Sequence, residues 1–488
     1  VLGPGLCGID KYLWFTRPGT LIPMTARALN ALILSVLTLL TGCSVFRSYD
    51  SELQATNQQL SAGNVDGALV LLEQNNSSQN KDLLYYLEKG ELLRAKGDLA
   101  ASQKAWRNAD KLIYAWEESV RLDTARYLAQ FSSFLVNDKV RRYEGHDYEK
   151  VWLSTQMALN LLNLNDFEGA RTEIKKTHER EALITELRDK EYLKREQEAE
   201  RRGVRARLKD LRGYPLESLD APDVLELKNS YQSAFSHYLA GFVYEALGER
   251  SLAAPGYRKA AELRPNTPLI EQNLLNLDKP EARSDESEVL IVLQNGFAPA
   301  RDSIRLPLPL TISNNLVITP LSFPVIRPYT PNRPLTHVVV NGQLHPLTLL
   351  NTTTTMSRRA LRDELPWILL RSSARAVTRG VAQKQLNDDN PLAGLLLGVA
   401  STVLEDADTR TWRTLADNTY VVRLRLNRGE HQISLPDIPG STPIRIRAER
   451  GYQVITIRTI GNRVFHHAAA GSTTPVPPPL AFISRQKP

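Results

Sequence analysis

The residue best placed for covalent chemistry is Cys43, one of two cysteines in the 488-residue sequence. A cysteine reacts as its thiolate, and the small residues before it leave room for a modifying enzyme. Upstream, Arg27 supplies a positive charge, and Ala31–Leu40 is an apolar run of about ten residues, which is too short to span a bilayer. Residues 24–42 are therefore predicted to be a secretory signal that ends just before Cys43.

The order Leu40-Thr41-Gly42-Cys43 resembles the lipobox of bacterial lipoproteins. The resemblance implies that a diacylglyceryl group is placed on the Cys43 sulfur, that the chain is cut before this residue, and that the new amino terminus is acylated. Several acyl chains anchor a protein stably, whereas one alone binds only marginally. Ser44, in place of an aspartate, implies the outer membrane with the protein facing the periplasm. The alternative is an ordinary cleaved signal with an incidental cysteine.

A second candidate for chemistry is the acidic cluster of Glu405, Asp406 and Asp408, followed by Arg410 and Trp412. Two carboxylates could perform acid–base chemistry on a glycan. The alternative is a loop in which an arginine pairs with the acid and the tryptophan is buried. His-Glu-x-x-His, Gly-x-Ser-x-Gly and phosphate-binding glycine motifs are absent from the sequence, and its eight histidines are scattered. We therefore predict a protein that is not an enzyme and needs neither a metal nor a cofactor.

Helical repeats are predicted for the first half of the chain. The segment Tyr238–Pro265 resembles a tetratricopeptide repeat, and related segments are Tyr86–Ala109, one that contains Ala158 and Ala170, and a weaker first one that contains Gly63 and Ala68. Turn positions 63, 97 and 165 are 34 and 68 residues apart, which matches one and two repeat lengths of about 34 residues. The residues expected to pack the helix pairs, to form their turns or to end them are Gly90, Gly97, Trp106, Ala109, Ala158, Ala170, Gly241, Tyr244, Ala253, Tyr257, Ala260 and Pro265.

A solenoid of such repeats has a concave groove that suits a peptide or a partner helix. The side chains proposed to line it are Tyr86, Lys89, Asn160 and His237. Between the repeats, residues 179–212 are dense in helix formers of both charges with a thin apolar stripe, which predicts a long, largely solvated helix. Tyr214–Asp223 is then expected to be a loop.

After Pro280 the hydrophobic period changes to two, which is typical of strands. Strands are predicted over 288–295, 315–320 and 336–342, and a further set over 418–434, 444–447 and 452–458. Arginines alternate with apolar residues in the later strands, so an outward basic stripe is expected at Arg423, Arg425, Arg445, Arg447 and Arg458. A helical insertion is predicted at 357–405. It includes the apolar run Leu392–Leu404, which is either a buried core helix or a helix for self-association or bilayer contact.

The net charge of +7 is unevenly distributed, because residues 284–488 hold 23 Lys+Arg against 15 Asp+Glu. Such a half could favour peptidoglycan carboxylates or lipid phosphates, or it could be a basic surface without a target. Nucleic acid is not expected as a partner of a periplasmic lipoprotein.

These patterns predict an α+β protein in which an all-α, TPR-like solenoid precedes a β-rich, sandwich-like domain with a helical insertion. The predicted divisions are an over-extended start (1–23), the signal (24–42), the repeat domain (43–283), the β-rich domain (284–467) and a disordered Pro-rich tail (468–488).

Three stretches together resemble one family: Tyr143–Val151 with Ala158–Leu162, Leu293–Pro299 and Glu405–Leu415. They are similar to bacterial tetratricopeptide-repeat lipoproteins of uncharacterised function, whose genes often neighbour those for lipoprotein activators of penicillin-binding proteins. No catalytic residues accompany the resemblance. It implies a non-catalytic adaptor in envelope assembly that is bound to membrane lipid and to a periplasmic or outer-membrane protein, with peptidoglycan a further candidate. The alternatives are an oligomeric export or surface-polymer component and, third, a glycan-acting enzyme.

Overall fold

The fold was obtained as a computed structural model, and it describes residues 49–125, 142–201, 213–278, 286–312, 315–326, 333–389, 407–449 and 451–468. The chain divides into two units, residues 1–47 and 48–488. Leu40–Cys43, Glu405, Asp406, Leu392–Leu404 and the tail after 468 lie outside the described residues.

Paired helices form the first half of the described chain. In order, they are α1 (Tyr49–Ala62), α2 (Val65–Asn75), α3 (Leu83–Lys96), α4 (Leu99–Leu122), α5 (Asp147–Asn163), α6 (Phe167–Arg201), a short α7 (Pro222–Leu225), α8 (Ala234–Ala246), α9 (Arg250–Leu263) and α10 (Pro268–Asn276). Successive helices pack as hairpins, α1 on α2, α3 on α4, α5 on α6 and α8 on α9. The predicted helical repeats followed by a β-rich region are confirmed.

The four hairpins share one turn geometry. Each turn has a left-handed residue after its first helix, with φ of +88° at Gly63, +94° at Gly97, +61° at Asn165 and +76° at Gly248. In the first three turns the next residue caps the second helix, because its side chain accepts from the backbone N–H three residues on. Glycine and asparagine are the residues that adopt this backbone at least cost. Their positions at the turns therefore show the repeat spacing in the sequence.

Small residues let the two helices of a hairpin approach closely. The buried Trp106 indole lies where a Cβ on Gly90 would stand, and the Tyr257 ring lies likewise against Gly241. A Cβ on Gly256 would come within 2.7 Å of the Gly241 backbone nitrogen. Other residues predicted for this packing are also buried: Ala109, Ala158, Ala170, Tyr244, Ala253 and Ala260.

The second half of the described chain contains three sheets. The strands are β1 (Glu286–Asn295), β2 (Arg301–Ile312), β3 (Asn315–Ile326), β4 (His337–Val340), β5 (Gln343–Pro346), β6 (Thr348–Thr352), β7 (Asn418–Asn427), β8 (Gly429–Ser434), β9 (Ile444–Ala448), β10 (Gly451–Ile460) and β11 (Arg463–Ala468). A five-stranded sheet has the order β11-β10-β1-β7-β6, a four-stranded sheet has the order β5-β4-β8-β9, and β2 pairs only with β3. Strand β1 is parallel to β10 and antiparallel to β7.

The five-stranded sheet is the middle of three layers. On β1, Leu290 and Val292 belong to the core shared with the helices, whereas Val289, Ile291 and Leu293 pack against the four-stranded sheet. Strand residues alternate between faces, so here both faces of the sheet are buried. The helices that contact this sheet include α3, α5 and α8, the first helices of three hairpins.

A separate subdomain surrounds the β2–β3 hairpin. Helix α11 (Thr353–Asp389) packs on both strands, and the core between them includes Leu306, Phe323, Leu361 and Leu365. The hairpin carries paired prolines at 307 and 320, as expected for a two-stranded sheet, because proline is confined to sheet edges and bulges. Strand β2 was not predicted.

The helix predicted over the charged segment 179–212 is present over its described part, which is mostly exposed and is buried along a stripe that includes Ile184, Leu187 and the guanidinium of Arg180. Arg180 is compensated by Asp110 and Glu117 on α4, so a charged helix packs in the core without leaving an unpaired charge. The predicted loop Tyr214–Asp223 contains a 3-10 turn at Leu216–Ser218 and the start of α7.

Candidate functional site

The concave side of the solenoid is covered by the chain's own five-stranded sheet. Of the four side chains predicted to line a groove, Asn160 is fully buried and donates to Ser102 Oγ at 2.9 Å. His237 is also buried, 3.1 Å from a Glu181 carboxylate oxygen. Tyr86 and Lys89 are half-buried. The groove prediction is therefore wrong for Asn160 and His237, because a buried side chain offers no surface to a partner.

Polar contacts join the first helices to this sheet. Arg94 of α3 donates to Gln156 of α5 and to Gln294 of β1, each at 2.9 Å. Arg458 of β10 lies 3.3 Å from Glu91 of α3, and all of these side chains are buried. Burial and the neighbouring Arg94 lower the pKa of Arg458 to about 10. Charges that are buried this completely require partners. The sheet and the helices that supply these partners therefore form one structural unit.

The predicted outward basic stripe is wrong for Arg423 and Arg458, which face the helices. Arg423 is 9% exposed and lies 2.6 Å from Glu245 of α8 and 3.0 Å from Glu288 of β1. The period of two correctly separates the two faces of each strand, but at Arg423 in β7 and Arg458 in β10 the face that carries the arginine is covered by acidic helix residues. In β9 the prediction is confirmed, because Arg445 and Arg447 are exposed. Arg425 and Arg447 are 54% and 65% exposed.

The three stretches that carry the family resemblance come together at this junction. The backbone N–H of Trp412 and the hydroxyl of Thr411 donate to Glu149 Oε1 at 2.7 and 2.9 Å. Ala298 donates to the Leu415 carbonyl at 2.7 Å. Segments more than one hundred residues apart in sequence thus form one hydrogen-bonded unit.

Within this unit, the described residues of the predicted acid–base cluster are an ion pair, Asp408 with Arg410, and the buried Trp412. Asp408 accepts from Arg410 Nε at 2.8 Å and Nη2 at 2.7 Å. Trp412 is fully buried, with its ring 6.1 Å from that of Trp106. An ion-paired carboxylate beside a buried tryptophan matches the loop alternative for these residues.

Glu88 fixes the same loop from the helical side. It accepts from the backbone N–H groups of Arg413 and Thr414 at 2.7 and 3.0 Å, and from the Tyr49 hydroxyl at 3.2 Å. Burial raises the pKa of Glu88 to about 7, although the Thr414 hydroxyl, the two backbone N–H groups and the charge of Arg413 act to lower it.

This raised pKa predicts a pH dependence of stability. An acid whose pKa is raised on folding holds its proton more tightly in the folded state, so its contribution falls as the pH rises from the unfolded pKa of about 4.3 to the folded pKa. We expect the free energy of unfolding of the wild type, relative to Glu88→Gln, to fall by up to about 3 kcal/mol across that window. Urea unfolding at pH 5 and pH 8 measures it. A difference that grows with pH would mean that Glu88 is ionised in the fold.

Beside the loop lies a cavity of about 160 Å³. Its described lining comes from α4, from the start of α5 and the residues before it, from α6, β2, β3 and α11, and from residues 407–410. Seven cationic side chains line it against four carboxylates; the cations are Arg142, Lys150, Arg188, Arg301, Arg371, Arg375 and Arg410. The rings of Trp116, Tyr143 and Trp367 form much of its apolar wall.

The carboxylates of the cavity are held by cations. Glu364 Oε2 accepts from Arg301 Nη1 at 3.1 Å, and Glu364 Oε1 lies 3.3 Å from His146 Nδ1. Burial alone would raise the pKa of Glu364, but Arg301 and His146 hold it well below its usual range. A carboxyl that stays ionised is not a general acid near neutral pH, so Glu364 is suited to orienting Arg301.

The cavity residues Arg301, Glu364, Arg371 and Arg375 were not among the predicted site residues. A usable signal existed in α11, where arginines one turn apart interrupt the apolar stretch Leu365–Ala376. Charged residues in the buried part of a helix require a partner or a ligand. Arg301 had no such signal, because the strand that carries it was not recognised.

No helix in the described ranges is long and apolar enough to cross a membrane. Among these same residues, no three His, Cys, Asp or Glu side chains are grouped so as to hold a metal ion.

The similarity of this chain to known proteins is distant. No protein-family model matches the chain, and no curated protein matches it. Among solved structures, the chain is similar to a tetratricopeptide repeat protein from Parabacteroides merdae, at 14% sequence identity and a TM-score of 0.13, over 47% of this chain and 98% of that one. The helical-repeat assignment therefore rests on the four hairpins and their shared turns.

Proposed function

We propose that this protein is a lipoprotein, anchored in the outer membrane through acylated Cys43 and facing the periplasm, that acts as a non-catalytic adaptor in cell-envelope assembly. The observation that carries the adaptor role is the array of helical hairpins, a fold commonly used to bind proteins. The lipobox resemblance supports the location, and the gene neighbours of the resembling family favour peptidoglycan synthesis as the process.

Because the five-stranded sheet covers the concave side of the solenoid, we place the partner-binding surface on the outer helices. Tyr114 and Leu122 on α4 are 55% and 82% exposed, and Tyr192 and Leu193 on α6 are 52% and 60% exposed. Both helices are the second members of their hairpins, whereas the first members, α3 and α5, contact the sheet. Exposed aromatic and aliphatic side chains are common anchors of protein interfaces. We propose that a periplasmic or outer-membrane protein binds these helices.

Anchoring predicts a clear effect of Cys43→Ala. Without the thiol no diacylglyceryl group can be attached, so we expect the protein to move from the membrane fraction to the soluble fraction while its circular dichroism stays unchanged. Fractionation and immunoblotting measure this, with Ser44→Ala as the matched control that keeps the lipidated residue. A Cys43→Ala protein that stays wholly in the membrane would disprove the lipid anchor.

The adaptor role is tested by photo-crosslinking in intact cells. A photoreactive amino acid at Tyr114 or Tyr192 should capture a distinct protein, identified by mass spectrometry, whereas the same group at Leu344, which is 59% exposed on β5, should not. A peptidoglycan synthase or its activator would support the proposed process. A ladder of homo-oligomers would favour the export or surface-polymer alternative, and capture of no protein at either helix would contradict the adaptor role.

A further inference from the structure

The cavity beside the loop 407–417 contains a cation whose hydrogen-bonding capacity is only partly used. Arg301 is 3% exposed, and its Nη1 donates to Glu364. Its Nε and Nη2 are buried and have no hydrogen-bond partner. An unmet donor in such a place costs free energy, and the cost is larger for a charged group than for a neutral one.

The unused donors have a specific geometry. Nε and Nη2 form one edge of the planar guanidinium, and this edge matches the two oxygens of a carboxylate or phosphate in a bidentate pair. Glu364 occupies the remaining nitrogen and holds the guanidinium in place, so the edge is oriented before any ligand arrives. The Arg301 side chain itself lines the cavity.

The electrostatics of the cavity favour an anion. Its lining has three more cationic side chains than carboxylates. Three carboxylates are already paired within it, Glu364 with Arg301, Asp408 with Arg410 and Glu191 with Arg188. Arg188 and Lys150 are further compensated by Asp147, which lies outside this lining. A bound anion would therefore reduce the excess positive charge in a site of low dielectric.

The apolar wall sets a second requirement. The Trp116 and Trp367 side chains line the same space, and a cavity near 150 Å³ holds a molecule about as large as benzene. A bare inorganic ion would leave this wall without contacts. The chemistry therefore suits a small organic molecule with one oxyanion group and a flat or aliphatic body.

We propose that this cavity binds a small carboxylate or phosphate ester, with the oxyanion on the Nε–Nη2 edge of Arg301 and the organic body against the tryptophan rings. The binding site is independent of the adaptor role and would stand if that role were disproved. It lies where the helical repeats, the β2–β3 subdomain and the loop 407–417 meet, so its occupancy would stabilise the contact between them.

The test titrates the full-length protein with benzoate, phenyl phosphate, inorganic phosphate and neutral benzyl alcohol, followed by calorimetry and tryptophan fluorescence. We expect benzoate or phenyl phosphate to bind at least tenfold more tightly than benzyl alcohol and than inorganic phosphate. Arg301→Lys keeps a charge for Glu364 but loses the two-donor edge, so it should weaken that binding at least tenfold. Arg425→Lys, a change at an exposed arginine outside the cavity, should leave it unchanged.

A crystal soaked with 4-bromobenzoate makes the test independent of how well Arg301→Lys folds. Anomalous density within contact distance of Arg301 and the tryptophans would support the site. Density only elsewhere, undiminished binding by a folded Arg301→Lys, or no binding of either organic anion at millimolar concentration would overturn it.

Discussion

Replacing Glu91 by glutamine is expected to lower the free energy of unfolding by about 3–5 kcal/mol, because two buried guanidinium groups then lose their shared carboxylate. Glu91 is 2% exposed and lies 3.3 Å from Arg458 and 3.8 Å from Arg94. The amide oxygen of glutamine can still accept a hydrogen bond, but it carries no charge. The two arginines would remain close together in a medium of low dielectric, where their repulsion is poorly screened.

Urea unfolding followed by circular dichroism measures this loss. The matched control is Glu186→Gln, since Glu186 pairs with Lys190 on the surface of α6 and is 63% exposed. Surface pairs of this kind contribute about 0–1 kcal/mol, so its midpoint should hardly move. Equal effects of the two substitutions would show that the junction charges do not depend on Glu91.

Replacing Trp412 by alanine is expected to cost about 3–5 kcal/mol, the usual range for a fully buried tryptophan. Its ring packs edge-on against Trp106, and its backbone N–H donates to Glu149. The truncation would leave a cavity between the helical hairpin α3–α4 and the loop that leads into β7. Local opening of this loop should accompany the loss of stability.

Trp412→Phe is the control, because it keeps an aromatic ring while removing less volume, and its effect should be less than half as large. Limited proteolysis gives a second measurement, with new cleavage expected near residues 407–417 in Trp412→Ala only. A stable, protease-resistant Trp412→Ala protein would mean that this tryptophan does not stabilise the junction. Trp412 would then again be a candidate for a functional role.

The helical half was predictable because its signals are local. Gly97 and Gly248 stand at turns that require a left-handed backbone, and their distance from the packing residues is fixed by the length of one helix. The Asn341-Gly342 sequence is likewise a local signal of a hairpin turn, and it forms one between β4 and β5 with φ of +50° and +81°.

The arrangement of the halves was not predictable from these signals. The alternation of arginine with apolar residues in β7 and β10 shows which residues share a face, but it does not show what covers that face. Arg423 and Arg458 are buried because Glu245 and Glu91, far away in sequence, meet them. The same holds for Arg180, which looks like a residue of a solvated helix until Asp110 and Glu117 are placed beside it.

The candidate site was only partly predictable. Asp408, Arg410 and Trp412 were predicted as a candidate site from their composition, and Asp408 and Arg410 line the cavity. Arg301 lies in a strand rich in prolines, and its partner Glu364 is 63 residues later on a helix. Neither residue is distinctive alone, because the property that matters is the pair of unused donors.

The pairing of β1 with β10 also bears on how the chain acquires its fold. Their register joins residues 164 positions apart, such as Ser287 and Gly451, so there is an interval in which β1 has reached the compartment where the chain folds and its partner strand has not. During that interval the edge of β1 that receives β10 is open, and Glu91 lacks Arg458. Open strand edges invite pairing with other chains. The yield of native protein would therefore be limited by the rate at which the last strands arrive, and a holdase that shields β1 during that interval would raise it.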